Sequence, residues 1–575
     1  MLSIRQQLQQ IFTATIKEIH GVDTDPMLQP AGRPEYGDYQ ANFALRLAKT
    51  LQKKPFDIAN AVITKLQASP LFAKLEASGP GFINITLKDT ALENQLQKLM
   101  TQEHLGLIKT PHPDTVVVDY SSANVAKEMH VGHLRTTIIG DAIARILNFL
   151  GHQVIRQNHI GDWGTQFGML IEHLIESHWQ VHQTADLTTL YQQAKKRFDE
   201  DKIFAERARA RVVALQEGDK KSREIWQQLV KHSLQYFQSI YQKLDVLLVE
   251  KDVCGESFYN DKLNALVTEL QQKNIAAVDQ GAVVIFLKDF FDPDGNPLPM
   301  LIRKSDGGYL YATTDLAAIR YRIQELKANR LIYVVDARQK QHFDMLFAAA
   351  QVAGWADNTI RLEHVEYGTV LGEDHKPFKT RSGDTIKLNE LLAEAEKRAA
   401  ALILQKHPEI AAEELAQLAN RVGIGALKYA DLRNDKAKDY VFSWDRMLAF
   451  DGNTGPYLQN AYVRIAAIFR KSPVDVQALD AVSLHISSPI EHILAVKIAE
   501  FPDVVSAIAN HLHLHYLCDY LYDLAGLFHK FYEHCPVLTV SDTRVRDSRL
   551  QWCVLTARTL KLGLNLLGIQ VLERM

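Results

Sequence analysis

The chain has 575 residues, 47% of them hydrophobic and 23% charged, with a formal net charge of −3 at pH 7; this suits several soluble globular domains and excludes a globally basic nucleic-acid-coating protein, so any basic surface has to be local. Cys254, Cys518, Cys535 and Cys553 show no CxxC spacing, which argues against a zinc ribbon or a disulfide framework and fits a reducing, cytoplasmic setting. No run approaches about 18 apolar residues and the first twenty residues lack an export-signal pattern, so neither a membrane span nor a signal peptide is expected.

From Leu2 the apolar stripe Leu8, Ile11, Phe12, Ile16 and Ile19 predicts a helix, and ANFALRLAKTL predicts another. Residues 82–87, FINITL, alternate as a strand after the turn Ser78-Gly79-Pro80-Gly81. Residues 1–110 therefore make a small α+β domain, closed near Pro111-His112-Pro113. The buried-strand pattern Val116-Val117-Val118 opens the next unit, followed by a polar loop, then His130-Val131-Gly132-His133 and a helical run through Leu147. A strand over 152–160 and the turn Gly161-Asp162-Trp163-Gly164 continue it. Strand–helix–strand order starts a doubly wound parallel sheet of Rossmann type. Residues from about 186 to 285 form an insertion whose charge runs suit a solvated face. Within Asp292–Asn296 the acidic spacing hints at a calcium loop, but Pro297 and Arg303 stand where a glycine and a glutamate belong, so a hairpin turn is expected. Strand and helix alternate again from about 309 to 368, giving a core over 111–388. From 389 to 575 strand signals nearly vanish, and an all-α bundle is expected.

The strand–loop–helix at 115–150 is where an α/β sheet binds phosphate, because helix-terminal N–H groups and the dipole favour anions. His130 and His133 sit at that mouth, with Gly132 removing a side chain where a ligand comes close. Taken alone, HVGH fits two helix-capping histidines as well as a phosphate site; it does not fit a zinc site, which needs a third ligand. The polar loop from Gly372 carries Lys379 and Arg381, which a mobile segment could bring onto a polyphosphate. His511, His513 and His515 tempt as a metal cluster, but in a continuous helix His513 faces away from the other two.

His130-Val131-Gly132-His133 resembles the HIGH signature of class I aminoacyl-tRNA synthetases. The longer run from Asp119 to Met129, DYSSANVAKEM, resembles the extended signature of the arginyl-tRNA synthetase family and is far more specific. The resemblance spans the whole chain and implies an ATP-dependent ligase that forms arginyl-adenylate, then passes arginine to the terminal ribose 2′-hydroxyl of tRNA(Arg). It implies that His130, Gly132 and His133 hold ATP phosphates, and that Ser122, Asn124 and Gln339 hold the α-amino end of arginine. Tyr311 and Asp315 would meet the guanidinium, with Asp119 adding negative charge. A planar guanidinium is best recognised by a carboxylate that accepts paired N–H bonds, a fork lysine cannot reproduce.

The family's second signature, KMSKS, aligns with Lys379-Thr380-Arg381-Ser382-Gly383, so Ser382 replaces the second lysine. Lys127 is expected to supply the missing charge. For tRNA the resemblance assigns D-loop contacts to Phe82 and Asn84, and places the C-terminal Met575 near the anticodon; an aromatic that stacks and an amide that bonds a base edge suit single-stranded RNA. Mg2+ is expected to travel with ATP, without a dedicated protein metal site. The chain is expected to be a monomer, and the resemblance also implies that activation needs bound tRNA. The rivals are another nucleotidyl transferase, which leaves the helical third without a purpose, and a non-catalytic tRNA-binding paralogue.

Overall fold

The computed structural model describes residues 2–177, 184–378, 386–472, 474, 479 and 482–574. At its centre is a four-stranded parallel sheet of β1 (Thr115–Asp119), β2 (Gln153–Gln157), β3 (Arg330–Asp336) and β4 (Arg361–Tyr367), in the spatial order β4-β3-β1-β2. Val116 and Val118 of β1 join Ile332 and Val334 of β3 in one hydrophobic core, while Val117, Leu331 and Tyr333 belong to another. Successive side chains of a strand point to opposite faces, so an unbroken apolar run is what a strand covered on both sides requires. Helix α1 (Val131–Phe149) covers the first face through Ile138, Ile139 and Ile143. Helices α2 (Tyr311–Gln324) and α3 (Lys340–Val352) cover the second through Leu316, Ile319 and Leu346. The chain leaves β1 toward β2 on one side and later returns to β3 on the other. The crevice outside the carboxyl ends of β1 and β3 is therefore the sheet's switch point, where ligands of such folds bind.

Between the halves of the sheet stand helices Thr184–Glu200, Lys202–Glu217, Lys220–Lys243 and Asn260–Gln272, then an antiparallel sheet of Ala276–Asp279, Ala282–Phe291 and Pro297–Arg303. An insertion ending at 285 would cut the middle strand of that sheet. Asp292 closes the hairpin as a turn residue, its Oδ1 accepting from the backbone N–H of Asp294 at 3.0 Å and of Asn296 at 2.8 Å. The insertion is more than a solvated face. Its third helix buries Leu229, Phe237, Ile240 and Tyr241 against the core.

The N-terminal domain is an antiparallel sheet in the spatial order Leu28–Pro30, Tyr39–Ala41, Phe82–Leu87, Phe72–Ser78, backed by helices. Among the described residues from Leu388 onward the elements are helices apart from the short strand Tyr440–Val441. Arg135 of α1, 1% exposed, ties this helical part to the core: its Nε lies 3.0 Å from Asp431, and its Nη1 donates to the Gly368 carbonyl at 2.7 Å. Among the described residues no helix is long and apolar enough to cross a membrane.

The N-terminal domain also docks on the helical part, which periodicity could not anticipate. Ser3 Oγ donates to Asp503 at 2.6 Å, and His492 bridges Asp89 at 2.6 Å and Asp38 at 3.0 Å. The hydrogen bond to Asp38 and that to Asp89 raise the His492 imidazolium to about 9 against the opposing effect of burial. A folded-state value above the unfolded 6.5 means the latch is fully present below pH 6.5 and is lost as pH rises through 9. Limited proteolysis at pH 7 and pH 10 is expected to release the N-terminal domain faster at the higher pH, and His492→Ala should remove that difference.

Candidate active site

The loop from β1 to α1 is held in a strained form. Ser121, Ser122 and Ala126 all have positive φ, at 72°, 49° and 61°, which non-glycine residues adopt only when their surroundings impose it. The surroundings here are polar and specific. Ser121 N donates to Thr136 Oγ1 at 3.1 Å, Ser122 N to Asn158 Oδ1 at 2.9 Å, and Ala126 N to Ser233 Oγ at 3.0 Å. Tyr241 joins Ser121 Oγ at 2.8 Å and Asn158 Nδ2 at 2.9 Å. Ser233 and Tyr241 come from the third insertion helix, so the insertion buttresses the loop.

That loop delivers His130 to the N-cap of α1. Gly132 N donates to His130 Nδ1 at 3.1 Å, and His130 N donates to His133 Nδ1 at 3.0 Å. With both Nδ1 atoms accepting, each neutral ring carries its proton on Nε2 and offers an N–H donor. Burial, then the neighbouring His130, push the His133 imidazole down to about 3; burial, Arg338 and Lys127 lower that of His130. The rings lie 3.9 Å apart between centroids. A Cβ on Gly132 would come within 2.9 Å of His130 Cε1, so only glycine lets that ring fold back over the helix start. Two neutral donors at a positive helix end, with Lys127 and Arg338 close by, are equipped to stabilise charge growing on an oxyanion.

At the same end of the sheet the fold gathers a cluster of carboxyl groups. Asp315, on the first turns of α2, accepts from His342 Nε2 at 2.7 Å and lies 3.6 Å from His159 Nε2. Tyr311, 60% exposed, stands one turn earlier with its ring 4.9 Å from His342. Burial and the carboxylates of Asp315 and Asp162 raise Glu256 to about 8, so it holds a proton at neutral pH. Asp162 is itself raised by burial, although Ser257 donates to it from both its N–H and its hydroxyl. Among the described residues Asp162, Glu256 and Asp315 form no ion pair with a lysine or arginine, and histidines alone approach Asp315, the condition that invites a cationic ligand.

Asp119 does not belong to that set. Arg322 Nη2 lies 2.6 Å from Asp119 Oδ2 with both groups buried, so its charge is neutralised internally, and Ser122 Oγ donates to its other oxygen at 2.9 Å. A role for Asp119 at a guanidinium would therefore share this carboxylate with Arg322. Asn124 is exposed and packs on Gly161, where an added Cβ would meet its Oδ1 at 2.1 Å. Gln339 is exposed at the start of α3, beyond the carboxyl end of β3. Lys127 reaches over the Tyr191 ring at 4.5 Å. Lys379, Arg381 and Met575 lie outside the described residues. Residues 386–388 run against the histidine loop, with Val131 N donating to the Ile386 carbonyl at 3.0 Å and Leu388 N to that of Met129 at 2.8 Å. In the N-terminal sheet Phe82 and Asn84 share the face opposite the buried Ile83, Ile85 and Leu87. Asn84 is 8% exposed, and its Oδ1 already accepts from Gln40 at 2.7 Å and Ser78 at 3.3 Å. Asn158, His159, Glu256 and His342 escaped sequence reasoning because each is a single polar residue with no local pattern.

A family model described as tRNA synthetases class I (R), catalytic domain, matches residues 95–444. The chain belongs to this family. Models for an arginyl tRNA synthetase N terminal domain and a DALR anticodon binding domain match residues 6–87 and 458–575. An arginine–tRNA ligase of Cellvibrio japonicus is 50% identical over the whole of both chains, and one of Laribacter hongkongensis is 50% identical over 96% of each. Arginyl-tRNA synthetase of Plasmodium falciparum superimposes with a TM-score of 0.87 at 33% identity, and that of Thermus thermophilus with 0.84 at 25%, each over the full length of both chains. Relative to this family the fold is as expected: a class I catalytic core flanked by an N-terminal α+β domain and a helical domain.

Proposed function

We propose that this chain is an arginine–tRNA ligase that joins arginine to tRNA(Arg) in two steps. In the first, the arginine carboxylate attacks the α-phosphate of ATP and pyrophosphate leaves, giving arginyl-adenylate. In the second, the terminal ribose 2′-hydroxyl of the tRNA attacks the activated carbonyl and AMP leaves. The observation that carries this reading is the presence, at the carboxyl end of one sheet, of neutral imidazole donors and of a carboxyl cluster that no described lysine or arginine pairs.

His130 and His133 donate from Nε2 to the phosphate oxygens as charge shifts onto them, and Gly132 leaves room for the nucleotide. Lys127 adds positive charge to the phosphates, supported by its lowering effect on both histidines. Lys379 and Arg381 add positive charge to the polyphosphate. Mg2+ arrives with ATP as part of the substrate. Asp315 and Tyr311 receive the guanidinium, with Glu256 as a further acceptor, while Asn124, Ser122 and Gln339 hold the α-amino end. Asp315 keeps acceptor capacity beside His342 because a carboxylate offers about four lone-pair sites. Phe82 stacks on a splayed base and the Asn84 amide N–H group reads its edge. Met575 lies with the anticodon. The protein acts as a monomer in the cytosol, a location that suits its four free cysteines. A chain that only held tRNA would need neither the neutral imidazoles nor the carboxyl cluster.

The deciding experiment is arginine-dependent ATP–pyrophosphate exchange, with and without tRNA and with lysine as competitor. Absence of exchange and of charging under every condition overturns the enzyme; exchange driven by another amino acid overturns the specificity. Lys127→Ala should lower the activation rate about a hundredfold while leaving arginine binding nearly intact, the signature of charge stabilisation confined to the transition state. Arginine binding at pH 7 should release on the order of one proton from Glu256, measured by calorimetry in buffers of different ionisation enthalpy. Glu256→Gln should abolish that release.

A further inference from the structure

We propose that Asp435, His513 and His515 form a binding site for a divalent transition ion of the zinc class, at the seam between the catalytic sheet and the helical domain. Among the described residues this is the one group of three His, Cys, Asp or Glu side chains whose ligand atoms all lie within 4.8 Å of one another. A continuous helix would turn His513 away from its neighbours. The backbone does not continue. Helix Phe501–His511 ends at Leu512, whose φ is 56°, and the next helix begins at His515. A buried leucine in the left-handed region is held there by its packing. The turn brings the rings of His513 and His515 to 5.4 Å, edge to face.

The donors suit an ion. His515 Nδ1 is buried and has no hydrogen-bond partner, a condition native interiors rarely leave unexplained. His511 stays outside the set because its Nδ1 accepts from the His513 backbone N–H at 3.1 Å. Two imidazoles and one carboxylate, with a fourth position left to solvent, are a donor set typical of zinc. Tetrahedral zinc needs its donors about 3.3 Å apart, a contraction that rotation of these half-buried side chains can provide. The Lys436 ammonium lies 3.5 Å from His513 Nδ1, where it stands in for the cation. Asp435, Glu363 and Glu366 face that lysine, and Asp519 faces His515, so the surroundings stay acidic when the lysine is displaced. The neighbouring backbone is fastened to the rim of the sheet: Gly368 N donates to the Lys436 carbonyl at 2.9 Å, and Tyr440 N to that of Thr369 at 3.2 Å. An ion here would couple the end of β4 to a helix junction of the helical domain.

The test titrates the full chain with Zn2+ against a chromophoric chelator and repeats the titration with Co2+, whose absorption reports coordination. One ion per chain, a tetrahedral Co2+ spectrum and a raised unfolding midpoint are expected. His513→Ala and His515→Ala should each weaken binding at least about tenfold, since even indirect partners of metal ligands contribute that much. Lys436→Ala should act in the opposite sense and tighten it. Circular dichroism and arginine-dependent exchange verify that each variant folds. Zn2+ binding indifferent to both histidine variants, or weakened by Lys436→Ala, overturns the site.

Discussion

Asp315→Asn is expected to lower kcat/KM for arginine in pyrophosphate exchange by roughly a hundred- to a thousandfold, with KM for ATP little changed. Truncating the charged partner of a desolvated ion pair removes a few kcal/mol, because the cation left behind has lost its counter-charge as well as its hydrogen bonds. Asn is isosteric and keeps one acceptor, so the interaction with His342 Nε2, 2.7 Å away in the present structure, can survive. The loss would therefore report charge rather than collapse of the cluster. Asp315→Glu is a sterner test of geometry, since the fork of a guanidinium tolerates little displacement of the carboxylate. An Asp315→Asn protein with unaltered arginine dependence would remove Asp315 from the substrate site.

His133→Ala should lower the rate of adenylate formation by about a hundredfold or more, as loss of a preorganised donor to a developing oxyanion does. His133→Gln retains a neutral N–H donor and should recover part of that rate. The ring is held down to about 3 by burial and by its neighbour His130, so its protonation should leave no inflection in a pH–rate profile between pH 5 and 9. The same depression bears on stability. The unfolded imidazole titrates near 6.5, so the contribution from this group is complete above pH 6.5 and is lost as pH falls toward 3. A rate limb with an inflection near 6.5 that vanishes in His133→Ala would contradict the neutral-donor role.

How much was legible in the chain differs from element to element. Val116-Val117-Val118 announced a strand covered on both faces, and the two cores that receive its alternate side chains are what such a run requires. HVGH and the residues before it carried the family, because a long contiguous signature survives as pattern. Residues whose meaning depends on a partner far along the chain carried none. Asp119 was legible as an acid, but the Arg322 guanidinium that neutralises it lies 203 residues away. Glu256 was one acid among many until the fold set it beside Asp162 and Asp315.

Local periodicity and signature residues thus determined the secondary elements, the α/β core with its helical tail, and the reaction class. Tertiary structure alone decided the rest. It placed the helix Lys220–Lys243 behind the strained loop, docked the N-terminal domain on the helical one through His492, and broke the helix at Leu512 so that three histidines no longer follow helical spacing. The reason is physical. Periodicity records which face of an element is buried, whereas pairing of charges and satisfaction of buried polar groups depend on contacts between residues hundreds of positions apart, which no local window contains.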